Sequence, residues 1–264
     1  MPWTSPVISP MRPRDQRHET SADRFPGSPL HLETPAVKIY LCMATAAACV
    51  LLALASPGSA RAAGSPTFGP SSNPIVFVHG YNSDNTVWNT MAANFAKDGW
   101  PSSYLDQWKY NYSQSNATTA QQLSQEIDRV LASTGASKID IISHSMGGLS
   151  SRYYTKNLAG DAKVDAWVSL GGPNHGTNTA NACLDTSCGE MRIGSSFLNA
   201  LNSGDETPGT SRYATWWSPC DAVIVPNSSV ALSGAANTKT SCLDHSSLKT
   251  DATVYAQVRD YVNN

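Results

Sequence analysis

Lys138–Tyr154, KIDIISHSMGGLSSRYY, is the stretch that most narrows the folds open to this 264-residue chain. A β-branched apolar run meets a tight Ser/Gly turn and then a helical pattern that continues to Gly160, which reads as strand, turn and helix. The same unit recurs. IVFVH (Ile75–His79) is a compact apolar strand followed by the helical spacing of VWNTMAANFAKDG (Val87–Gly99). SYLDQWKY is a weaker strand, and TTAQQLSQEIDRVLASTG places Leu123, Ile127, Val130 and Leu131 on one helical face with Gly135 as its stop. KVDAWVSLGG (Lys163–Gly172) and SRYATWWS read as further strands and DATVYAQVRDYV as a terminal helix. Between them, about Pro173–Gly209 is rich in Asn, Thr, Ser and Gly, with one short helical candidate, IGSSFLNAL. Strands alternating with helices predict an α/β architecture, a mostly parallel sheet with helices on both faces. In such sheets the working residues lie on loops beyond the C-terminal strand ends.

Ser145 occupies that place. A turn that holds a serine in a strained conformation needs small residues two before and two after it. Gly147 supplies one, and Ser143 stands where the common G-x-S-x-G pattern has its first Gly. The departure adds a Cβ and a hydroxyl, a relaxation of a steric rule. Alone, S-x-S-x-G is weak, but other residues fall in a matching order. His79-Gly80 ends the first strand, and the loop after it can aim the Tyr81 N–H at the crevice that the Met146 N–H also faces, giving two donors for an oxyanion. His79 itself reads as a loop-fixing residue. A triad in this architecture runs Ser, Asp/Glu, His along the chain, and His175 and His245 are the two histidines after Ser145. His245, in TSCLDHSSL before the terminal helix, is the better placed base. Asp221, in WWSPCDAVIVP directly after a strand, is the candidate acid, with Asp205, Glu206 and Asp244 as rivals.

Residues 39–55, IYLCMATAAACVLLALA, follow Lys38 and precede SARAA. That is the layout of a secretory signal peptide, assigned to residues 37–62, and the apolar run itself is shorter than the roughly 20 residues of a membrane span. Residues 1–36 read as a disordered extension or an over-extended start, residues 63–73 as a linker, and residues 74–264 as one catalytic domain. Two of the six cysteines, Cys42 and Cys49, fall in the signal. Cys183, Cys188, Cys220 and Cys242 remain; in an exported protein they predict disulfides, with three pairings possible. No C-x-x-C pair or His at ligand spacing favours zinc. Pairing Cys220 with Cys242 would clamp the loops of Asp221 and His245 together, leaving Cys183 with Cys188 to pin a surface loop. A formal charge of −2 and the absence of a Lys/Arg run exclude a basic footprint for nucleic acid.

PIVFVHG, SHSMGG, SLGGPNHGT, CDAVIVP and DHSSL together resemble the secreted bacterial lipases of the α/β-hydrolase superfamily, especially the class 2 type, over roughly Pro74–Asn264. The resemblance implies an α/β-hydrolase fold with a minimal lid or none. It implies Ser145 as nucleophile, Asp221 as acid, His245 as base, and the Tyr81 and Met146 amides as oxyanion donors. The smallest members carry Ala at the position of Ser143. A secreted, monomeric enzyme acting on acylglycerols or other carboxylic esters, in solution or at a lipid–water interface, is the expectation. No metal or organic cofactor is implied, although some related lipases bind structural calcium. Esterase, polyester depolymerase, phospholipase and acyltransferase chemistries share the triad and differ in the pocket. A hydrolase fold kept only for binding would usually lack the Ser, the His or the oxyanion loop, all present here. The longer middle section with Cys183 and Cys188 departs from the family. Trp216, Trp217 and Tyr81 are candidates to line an acyl site, although such residues more often pack a core.

Overall fold

The computed structural model describes residues 72–264. The extension expected over residues 1–36, the signal peptide over 37–62 and most of the linker lie outside the described residues. Six strands, β1 (Ile75–Val78), β2 (Leu105–Trp108), β3 (Ile139–His144), β4 (Val164–Leu170), β5 (Arg212–Trp217) and β6 (Ala236–Lys239), form one sheet. Their order is β2-β1-β3-β4-β5-β6 and each neighbouring pair is parallel. The chain leaves β1 for β2 on one side and returns to β3 on the other, so the ends of β1 and β3 flank a topological switch point, where open α/β sheets form their crevice.

Side-chain alternation divides the core between the two faces. Val76, Val78, Ile139 and Ile141 pack with α2 (Asn116–Thr134) and α3 (Gly147–Asn157). Ile75, Phe77, Ile142 and Val168 pack with α1 (Asn89–Lys97) and α6 (Ala252–Val262). Burial on both faces explains the nearly continuous apolar runs of the central strands. Each such fully buried side chain contributes about 1.5–3 kcal/mol relative to exposure. The predicted face of α2 is the buried one, with Leu123, Ile127 and Val130 inside and Leu131 partly covered. Ser115 caps its start by accepting from the Thr118 amide, and Gly135, at φ 72°, ends it in the left-handed conformation that needs no Cβ.

A bulge interrupts β4, where Ile139 pairs with Val164 but Ile141 pairs with Trp167. Three residues of β4 thus oppose two of β3, and the extra one shifts the side-chain parity. Val164 and Trp167 consequently share one core while Ala166 and Val168 face the other. The Asp140 carboxylate fills the irregularity, accepting from the Ala166 amide at 2.9 Å.

The middle section contains a 3-10 turn at Asn178–Ala182, α4 (Thr186–Glu190) and α5 (Ser196–Leu201). It is tied to three other parts of the chain. The Asn178 amide donates to Val225 O at 2.9 Å, Ser187 Oγ to Tyr112 O at 2.6 Å, and the Asn116 amide to Glu190 Oε2 at 2.7 Å. Among the described residues no helix is long and apolar enough to cross a membrane.

Candidate active site

Ser145 lies between the last residue of β3 and the first turn of α3 with φ 55°, a left-handed conformation that costs a residue with a side chain. Its amide donates to Leu170 O at 3.0 Å, tying the turn to the end of β4. A Cβ on Gly147 would overlap the carbonyls of His79 and Val78, the latter at 2.5 Å, so that position admits only Gly. Ser143 is fully buried and uses its hydroxyl, Oγ donating to Val168 O at 2.7 Å on β4.

The loop after β1 lies against the same turn: a Cβ on Gly80 would stand 2.8 Å from Ser145 Cβ. His79 is buried away from the cleft, stacked on Tyr110 with ring centroids 4.0 Å apart. Burial pulls its imidazole pKa below the ordinary value against the hydrogen bond to Gly80 O, so Nδ1–H donates to that carbonyl at 2.9 Å. Gly80 C=O and Tyr81 N–H belong to one trans peptide plane and point in opposite directions. Fixing the carbonyl therefore fixes the direction of the Tyr81 amide. Neither the Tyr81 nor the Met146 amide has an acceptor among the described residues.

His245 and Asp221 meet across 24 positions, Nδ1 to Oδ2 at 2.7 Å. The other carboxylate oxygen accepts from the Val223 and Ile224 amides at 2.8 and 3.0 Å. Burial opposes ionisation of Asp221, but the His245 contact and the two amides outweigh it and hold the carboxyl below its usual range. His245 Nε2 is buried and has no hydrogen-bond partner. With Nδ1–H given to Asp221, that nitrogen carries a free lone pair. Sequence reasoning missed the support beneath it. His144 Nε2–H donates to His245 O at 2.9 Å, and the two rings lie 4.4 Å apart. Burial, with His245 and Lys249 beside it, keeps the His144 pKa well below the ordinary value, so this ring is neutral. Its place beside Ser145 was visible in HSMGG, but its partner comes from a loop 101 positions away.

Ser145 and His245 open on a cleft of about 490 Å³. Tyr81, Ala180, Cys183, Met191, Val87 and Lys249 line it, together with Val223 and Ile224, which follow Asp221. Burial pushes the Lys249 ammonium pKa below its usual value, and its Nζ donates to Ser246 O at 3.1 Å. Trp216 and Trp217, expected as candidates for this lining, are not part of it. The Trp216 ring turns into the α1/α6 core with Nε1 donating to Gln257 Oε1 at 2.9 Å, and Trp217 lies under the Lys239 ammonium. Strand alternation sends those side chains to the faces of the sheet, whereas the cleft lies beyond its end.

The rival groups are engaged elsewhere. His175 pairs with Glu206 at 2.6 Å, Asp205 accepts from the Thr207 amide, and Asp244 caps the amides of Ser246 and Ser247. Cys183 and Cys188 lie at bonding distance, as do Cys220 and Cys242, with Cα separations of 6.0 and 5.0 Å. Cys183–Cys188, expected to pin a surface loop, lies in a loop with exposed Leu184, and Cys183 also borders the cleft. No cluster of three or more His, Cys, Asp or Glu suited to a metal ion occurs among the described residues.

A parallel sheet with a left-handed serine after β3, a histidine before the last helix and an acid after β5 makes this an α/β-hydrolase fold. Lipase BlEst2 of Bacillus licheniformis in its mature form shares that fold with a TM-score of 0.64 at 17% identity, covering 73% of this chain and 93% of that one. Aspergillus fumigatus lipase B shares it with a TM-score of 0.62 at 16% identity, over 76% and 55% of the two chains. The family model for class 2 lipases, Lipase (class 2), matches residues 72–262. The chain belongs to that family. A triacylglycerol lipase of Burkholderia plantarii is 28% identical over 149 residues, 54% of this chain and 40% of its own length. The chain thus spans well under two thirds of that relative.

Proposed function

We propose that the protein is an exported serine carboxylic-ester hydrolase acting on acylglycerols. Ser145 is its nucleophile, His245 its general base, Asp221 the acid that orients His245, and the amides of Tyr81 and Met146 its oxyanion hole. The observation that carries this reading is the pairing of His245 Nδ1–H with a buried Asp221 carboxylate, which leaves Nε2 unpaired in the cleft that also receives Ser145.

In the first half-reaction Nε2 takes the Ser145 hydroxyl proton as Oγ attacks the ester carbonyl. The imidazolium formed then is stabilised by Asp221, whose depressed pKa keeps it ionised. Negative charge grows on the carbonyl oxygen, and the two amides stabilise it in the transition state more than in the bound ester. His245 returns the proton to the leaving alcohol. Water, deprotonated by the same nitrogen, then releases the acid and restores Ser145. The apolar lining residues of the cleft, Ala180, Met191, Val223 and Ile224 among them, suit the acyl chain.

Family membership and the Burkholderia relative's description as a triacylglycerol lipase support acylglycerols as substrates. Export is supported by the signal-like segment over residues 37–62 and by two cysteine pairs at bonding distance. The test is a p-nitrophenyl ester series run beside a triglyceride emulsion and a polyester film. Turnover of long-chain triglyceride is expected; turnover of short soluble esters alone would replace lipase by esterase, and film hydrolysis alone would replace it by polyester depolymerase.

A further inference from the structure

We propose that Asp185, presented by the Cys183–Cys188 loop, is a positioning residue for the oxyanion amide of Tyr81. The proposal rests on the function proposed above and deepens it. Residues 81 and 82 form a turn, and no close backbone–backbone hydrogen bond ties residues 80–83 to another loop among the described residues. Within them Asn82 is left-handed, at φ 50°, a conformation that asparagine adopts more readily than most residues with a side chain. Two side-chain contacts add to its hold.

One hold is His79 on the Gly80 carbonyl. The other is the Tyr81 side chain, whose phenol donates to Asp185 Oδ2 at 2.6 Å while its ring meets Tyr112 edge-on at 5.2 Å. The hydrogen bond to Asp185, with some burial, pushes the Tyr81 pKa up to about 12, so the phenol remains a donor throughout the neutral range. Asp185 sits at the cap position of α4, where an Asp would ordinarily accept a hydrogen bond from the helix, yet its side chain makes none there. The carboxylate is given to Tyr81 instead. Asp185 is itself held firmly. Ser187 bonds Tyr112 O at 2.6 Å, Glu190 receives the Asn116 amide and side chain at 2.7 and 2.8 Å, and Arg192 Nη2 donates to Cys183 O at 2.8 Å. The middle section thus reaches back across 104 positions to fix the peptide that receives the developing charge.

The test is kinetic, on the full-length secreted protein with a short soluble ester. Asp185→Ala and Tyr81→Phe should each lower kcat about 10-fold with KM within about twofold, less than the 10²–10³-fold that follows removal of an oxyanion donor. The double variant should lose no more than either single one. Asp185→Asn retains an acceptor and should recover most of the loss. Inhibition by a short alkyl trifluoromethyl ketone, whose adduct places an oxyanion at the same amides, should weaken in parallel with kcat/KM, while melting temperatures of Asp185→Asn and wild type stay together. Wild-type kcat in Asp185→Ala, a loss carried by KM alone, independent losses that multiply in the double variant, or unchanged ketone inhibition would each overturn the proposal. Failure of the underlying reading is seen separately: a fluorophosphonate probe would then leave wild-type Ser145 unlabelled.

Discussion

Ser143 stands where the common form of the turn has glycine, and its side chain has two distinct properties. Its size is tolerated, and its hydroxyl satisfies Val168 O on the neighbouring strand at 2.7 Å. Ser143→Ala should therefore leave ester hydrolysis largely intact while lowering stability by about 1 kcal/mol, the usual net value of such a bond. Ser143→Gly should cost a further 0.5–1 kcal/mol or so through backbone entropy. Denaturant midpoints measured beside turnover check both; a loss of activity without a loss of stability would give Ser143 a part in the chemistry. The size limit was legible in SHSMGG because it concerns neighbours in sequence. The hydrogen bond was not, since its acceptor lies 25 positions on and becomes adjacent only through the β3–β4 register. Asp185 was hidden for the same reason: nothing in LDTSC marks a carboxylate that serves a tyrosine near the start of the domain.

At the scale of elements, the β4 bulge is built around a buried acid. Burial pushes the Asp140 carboxyl up to about 7, against the Ala166 amide and the Asn73 side chain that favour its ionised form. In the unfolded chain the same group titrates near 3.9. Between roughly pH 4 and 7 the folded state holds a proton that the unfolded state has released, so this group subtracts stability as pH rises. The ceiling is on the order of 4 kcal/mol for a shift of that size. Asp140→Asn keeps an acceptor for the Ala166 amide and removes the titration. Its melting temperature is expected to exceed that of the wild type at pH 8 by a margin that closes near pH 4; a margin independent of pH would contradict the assignment. The bulge was not readable from KIDIIS and KVDAWVSL, which look like regular strands. β1, β3, β4 and β5 were readable because both their faces are covered, leaving few polar positions. β6, Ala-Asn-Thr-Lys at an exposed edge, lacks that signature and was missed. α4 is five residues long, too short for a helical period to show.

For the molecule as a whole, the question is how loops far apart in sequence arrive at one cleft. Parallel topology brings the ends of β1, β3, β4 and β5 together, which is why Ser145 and His245 reach one cleft with Asp221 paired behind His245. Cys220–Cys242 joins the loops of Asp221 and His245 across 22 positions. Closing a loop of that length is worth about 3 kcal/mol on the chain-entropy model. Replacing both cysteines by Ser should lower stability by about that amount and reduce kcat by loosening the Asp221–His245 contact; unchanged melting and turnover would show that the loops hold each other without it. The central claim is that Ser145 is the activated nucleophile. It is tested most directly by treating the native protein and Ser145→Ala with a fluorophosphonate and locating the adduct by mass spectrometry. Stoichiometric labelling of native Ser145 with complete loss of ester hydrolysis is expected, and no labelling of Ser145→Ala. An unlabelled native protein, or equal labelling of the variant, would contradict it.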